Sequence, residues 1–93
     1  MDMVDAETLF KQVISEVSLM MAQAYAAAGS LDAKHPLSQA GLADGTLIVL
    51  DYLEHNEAKL ALEHLLYMVK EPPLILSPKG VSALSQLTAL YNA

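Results

Sequence analysis

The sequence contains no cysteine, no tryptophan and no arginine, and its only phenylalanine is Phe10. Each absence removes a class of protein. Without cysteine there is no disulfide framework and no thiolate metal cluster. Without arginine there is no guanidinium to read guanine edges or grip phosphates in bidentate fashion. Five lysines stand against eleven acids, a formal net charge of −6, so no basic patch is available to neutralise a nucleic-acid backbone. DNA and RNA are therefore excluded as expected ligands, and the field of the chain favours a basic protein instead. Long apolar runs are also missing. The longest uncharged stretch lies between Glu16 and Asp32 and includes Ser18, Gln23, Gly29 and Ser30, too short and too polar for a span that needs about 20 apolar residues. The opening "MDMVDAETLF" is acidic, unlike the basic start of a secretory signal or a transit peptide. A cytoplasmic protein that does not enter membranes is expected.

What is present points to helices. Over half of the 93 residues are apolar, and seventeen of them are leucine. Leucine, alanine and methionine lose little side-chain freedom in a helix, while the aromatic and β-branched residues that favour strands are few. The length suits one hydrophobic core. The expected fold is all-α: a single domain over residues 1–93, a compact bundle of four main helices with one additional short helix.

Periodicity and capping residues place those helices. Ala6, Phe10, Val13, Val17, Met20 and Ala24 recur at spacings of three and four, forming one stripe of a helix that Gly29 and Ser30 can stop. Glu7 and Lys11 lie on its other side as an i,i+4 pair. The stretch around His35-Pro36 predicts a helical turn within residues 36–42. Asp44 is positioned to cap a helix through "GTLIVLDYLEH", and Asn56 to cap another through "EAKLALEHLLYMVKE" that Pro72 and Pro73 end. Ser77 with Pro78 starts the last helix, whose expected buried residues are Val81, Leu84, Leu87 and Tyr91.

Leu-Glu-His occurs twice, at 53–55 and 62–64, nine residues apart. In one continuous helix nine steps of about 100° put the units on opposite faces, so a shared site requires a bend near Asn56-Glu57. Neither His-x-x-x-His nor paired Glu-x-x-His is present, so no metal and no cofactor is expected. Nor is there a nucleophile elbow, a Ser-x-x-Lys, a phosphate loop or a dinucleotide fingerprint. Asp51, Glu54 and Glu57 have the chemistry for acid–base work, but their spacing equally describes a solvated face, and no enzyme activity is expected. A binding surface uses the same residues more simply. Glu57, Leu60, His64, Tyr67 and Glu71 follow one another at spacings of three and four beside the more apolar Ala61, Leu62, Leu65 and Val69. An aromatic and an imidazole flanked by acids suit contact with a partner, although Leu60 and Tyr67 would complete a core equally well.

The run "VLDYLEHNEAKLALEHLLYMVKE" followed by "LILSPKGVSALSQL" resembles the small helical immunity proteins that bacteria encode beside polymorphic toxins, including those of contact-dependent growth inhibition. The likeness covers residues 44–90. It rests on an apolar helix ending in Glu54-His55-Asn56-Glu57, the core Asn-Glu-x-x-x-Ala-Leu-Glu-x-Leu over 56–65, a short connector and a Ser-initiated helix. The resemblance implies a non-enzymatic protein that binds a cognate toxin domain, often a nuclease, as a monomer within the complex. The candidate partner-binding residues are Asp51, Glu54, His55, Glu57, Glu63, His64 and Tyr67, with Lys11 and Lys79 expected to lie away from them. The alternative is a small acidic chaperone or adaptor for a secreted protein, with the methionine and alanine run "LMMAQAYAAAG" as its apolar face.

Overall fold

The computed structural model describes residues 5–71 and 74–93. Helix α1 spans Ala6–Ala28, α2 Gly45–Glu54, α3 Ala58–Lys70 and α4 Pro78–Tyr91, with a short 3₁₀ turn at Pro36–Ser38 between α1 and α2. No strand occurs among the described residues. The chain is an all-α bundle of four helices, as the composition predicts.

The Asp5 carboxylate starts α1 by accepting from the Thr8 N–H at 2.9 Å, and Gly29 closes it at φ 66°, its N–H returning to the Tyr25 carbonyl. A left-handed backbone at this point suits a residue without a Cβ. The Tyr25 hydroxyl then donates to the Leu37 carbonyl at 2.6 Å, which ties the end of α1 to the 3₁₀ turn, where Leu37 is buried.

Two capping expectations are corrected. Asp44 precedes α2 but makes no side-chain cap bond. Gly45 is buried at the first position, where an added Cβ would collide with the Met68 side chain. Asn56 does not cap α3. It adopts φ 59°, with its N–H on the Leu53 carbonyl at 3.2 Å and the Glu57 N–H on the Tyr52 carbonyl at 2.8 Å. That paired pattern ends α2, and asparagine is the residue after glycine that best tolerates the left-handed position. The chain thus breaks between the two Leu-Glu-His units. The role expected of Pro72 and Pro73 falls outside the described residues.

Ser77 caps α4 as expected, its Oγ accepting from the Gly80 N–H at 3.0 Å, with Pro78 at the first position. Leu87 is buried as expected, but Val81 is 55% exposed, Leu84 and Tyr91 are half-buried, and Gly80 and Ala83 are buried as well. Small residues at 80 and 83 let α4 approach α1 closely. Helix α1 packs chiefly on α4, and α2 chiefly on α3. The body measures 47 × 27 × 18 Å. Val13 and Val17 of α1, Val49 of α2, Leu62 and Leu65 of α3 and Leu87 of α4 form its centre, each at most 1% exposed. No described helix is long and apolar enough to cross a membrane.

Candidate functional site

The turn between α2 and α3 is the acidic corner. Asp51 and Glu54 lie on the last turns of α2, Glu57 follows Asn56, and all three are exposed. Among the described residues the ion pairs are Lys11–Glu7 at 3.2 Å and His55–Asp51 at 3.5 Å. Glu54 and Glu57 are in no ion pair among the described residues, and the titratable cation their field acts on is His55. His55 donates from Nδ1 to the Asp51 carbonyl at 2.8 Å.

That hydrogen bond, reinforced by the carboxylates of Asp51, Glu54 and Glu57, raises the His55 pKa above its ordinary 6.5. A proton-dependent NMR titration of the ring is expected to show a midpoint above 6.5, lowered when Glu54 and Glu57 are neutralised. The sign follows from linkage: the stabilisation from charged His55 is complete below the unfolded pKa and disappears as pH rises through the folded one. A midpoint at or below the ordinary value would remove the acidic field from the account.

His64 and Tyr67 have a different task. The His64 Nε2–H donates to the Gly41 carbonyl at 2.8 Å, and the Tyr67 hydroxyl to the Ala40 carbonyl at 2.7 Å. Gln39 reaches the Glu71 carboxylate at 3.4 Å, and the two rings lie 5.5 Å apart in a tilted arrangement. Gly41 sits at φ 83° so close beneath His64 that an added Cβ would be 2.9 Å from Cε1. The stripe His64, Tyr67 and Glu71 thus fastens the chain's own connector onto α3. Tyr67→Phe is expected to cost about 1 kcal/mol for the lost hydrogen bond, a fall of about 4–8 °C in Tm. Amide exchange in the connector should accelerate while the corner is unaffected; unchanged exchange there would deny Tyr67 its fastening role.

The seven residues singled out from sequence accordingly divide. Asp51, Glu54, His55 and Glu57 cluster at the corner, His64 and Tyr67 face the connector, and Glu63 is exposed along α3. No group of three or more His, Asp or Glu able to hold a metal occurs among the described residues.

Beside the corner runs an apolar groove that the sequence reading missed, with a volume of about 510 Å³. Phe10 and Ile14 of α1, Leu50 and Leu53 of α2 and Tyr91 of α4 line it, and Glu7, Lys11 and Glu54 edge it. The Phe10 and Tyr91 rings are 6.2 Å apart across the α1–α4 seam. Lys11 is therefore not remote from the corner, since it shares the groove with Glu54; Lys79 is absent from this lining. One signal was available: Leu47, Leu50 and Glu54 follow helical spacing, and Leu47 and Leu50 remain 70% and 46% exposed. Which other helices would meet that face required the tertiary structure. No family model, no curated protein and no solved structure matches this chain.

Proposed function

We propose that the protein binds and neutralises a cognate bacterial toxin domain carrying a basic surface, as a nuclease does around its substrate groove. The observation that supports this most is the corner formed by Asp51, Glu54 and Glu57, exposed at the junction of two helices, where Glu54 and Glu57 have no cationic partner among the described residues. Such a field accelerates capture of a basic partner and orients it, with association at up to about 10⁸–10⁹ M⁻¹s⁻¹ at low salt. The resemblance of residues 44–90 to immunity proteins agrees with this chemistry. On this reading the protein is a stoichiometric inhibitor, acts as one copy per toxin in the cytoplasm, and needs no cofactor. Co-expression with a candidate toxin gene, should one lie beside its own, is the test. Restored growth and co-purification are expected; failure of both would mean that neutralisation is the wrong function.

The second reading, a chaperone or adaptor for a secreted protein, finds the run "LMMAQAYAAAG" divided: Met21 is buried and Met20 half-buried, whereas Leu19 is 61% exposed and Ala22, Ala26 and Ala27 are exposed. Its support is the apolar surface at the other end, where Ile75 is 87% and Val81 55% exposed. Co-purification with a secreted client, and not with a toxin, would favour it.

A further inference from the structure

We infer that the groove between α1, α2 and α4 receives a leucine or aromatic side chain carried on a lysine- or arginine-rich segment of the partner. This rests on the toxin-neutralising reading for its biological occupant and adds how the partner is held. The floor is apolar: Phe10, Ile14, Leu50, Leu53 and Tyr91. Its volume of about 510 Å³ falls in the ordinary range for concave binding sites, which take an apolar body and fix it with a few polar groups. The rim decides the occupant's charge. Glu7 and Lys11 neutralise one another at 3.2 Å. Glu54 remains, without a cationic partner among the described residues, and Asp51 and Glu57 continue the negative field along the chain.

An acidic segment would be repelled from such a rim, and so would a second copy of this chain with its net charge of −6. A basic segment gains twice, from burial of its apolar residue and from charge beside Glu54. A second groove, about 520 Å³ between α3 and α4, has no charged residue in its described lining and makes no such selection. Because Glu54 belongs both to the corner and to the groove, one basic segment can engage the two together. The corner supplies approach and orientation, and the groove supplies an anchor of the kind that dominates binding at protein interfaces.

The experiment titrates the isotope-labelled full chain at low salt with three synthetic peptides: one alternating lysine with leucine and a single tryptophan, one with glutamate for every lysine, and one with serine for every apolar residue. The first is expected to shift the Ile14, Leu50, Leu53 and Tyr91 resonances in a saturable way, and the other two to bind at least tenfold more weakly. Leu50→Glu, at a half-exposed position, should weaken the first peptide by tenfold or more while circular dichroism stays helical. Equal binding by the glutamate or the serine peptide would overturn the proposal. So would contacts from residues 1–4 already filling the groove, or groove shifts that depend on protein concentration alone. The toxin reading is scored separately: if Leu50→Glu still protects cells and co-purifies with toxin, neutralisation stands and the groove is not its anchor. If the wild-type chain takes the lysine peptide but fails to rescue growth, the groove chemistry stands and the toxin is the wrong partner.

Discussion

Under the proposed toxin neutralisation, reversing Glu54 and Glu57 together to lysine is expected to weaken binding to a basic toxin domain by about a thousandfold, because attraction becomes like-charge repulsion worth several kcal/mol and each 1.4 kcal/mol is about tenfold. The fold should survive. Both residues are exposed, and glutamate and lysine have nearly equal helix propensity. Glu54 stands at the last residue of α2, where a cation suits the helix dipole, and Glu57 stands just before α3, where an anion suits it. The two reversals should therefore shift helix stability in opposite directions by a few tenths of a kcal/mol. The wild-type affinity should fall steeply with salt, and that of the variant should not, since the steering field has been inverted. Protection of cells expressing the toxin should be lost. A Lys79 substitution is the control, whereas Lys11 is not, because it borders the same groove as Glu54. Rescue by the double variant with undiminished affinity would leave neutralisation standing and remove the corner from its mechanism.

Helix positions were legible where a local signal dominates. Asp5 to Gly29 reads as one amphipathic helix, and Ser77-Pro78 as a helix start, because capping and periodicity act within one or two turns. Asn56 was misread because the same residue chemistry serves two ends: its side chain caps an N-terminus, and its backbone tolerates the left-handed position that closes a C-terminus. The bonds from Asn56 and Glu57 back to Leu53 and Tyr52 show which applies. Val81 was misassigned for a different reason. Volume ranks it above Gly80 and Ala83 as a core residue, yet the close approach of α1 selects the small pair and turns Val81 outward. The corner was legible as a run of acids within a few residues. Neither the groove beside it nor the fastening role of His64 and Tyr67 was, because each is made by contacts between segments distant in sequence.

Removing the Glu16 carboxylate is expected to destabilise the bundle, because it ties α1 to the start of α4. Its Oε1 accepts from the Ser77 N–H at 2.8 Å and its Oε2 from the Ser77 hydroxyl at 2.8 Å, and the Gln12 side-chain amide also donates to it. The same Ser77 oxygen accepts from the Gly80 N–H, so one carboxylate on α1 is joined to the first turn of α4, at the end where the helix dipole favours negative charge. Gly80 makes room for it: a Cβ there would lie 2.6 Å from both carboxylate oxygens. Charge-assisted hydrogen bonds are worth about 1.5–3 kcal/mol, and solvent screening at this partly exposed site reduces the expected cost of Glu16→Ala to about 1–2 kcal/mol. In a domain of this size each kcal/mol lowers Tm by about 4–8 °C. Acid provides the discriminating measurement. The Ser77 N–H, then its hydroxyl, with smaller contributions from Gln12 and Lys79, holds the Glu16 pKa below its ordinary 4.5. A depressed folded pKa means that this stabilisation is fully present above the unfolded value and is lost as pH falls through the folded one. Glu16→Gln cannot ionise and turns an amide N–H₂ toward the Ser77 donors, so it should be less stable than wild type at neutral pH. The difference between the two should shrink as the wild-type carboxyl protonates. Denaturant unfolding of both chains from neutral pH into the acid range reads that difference directly, and a gap that stays constant throughout would mean that the negative charge of Glu16 is not what holds α4 against α1.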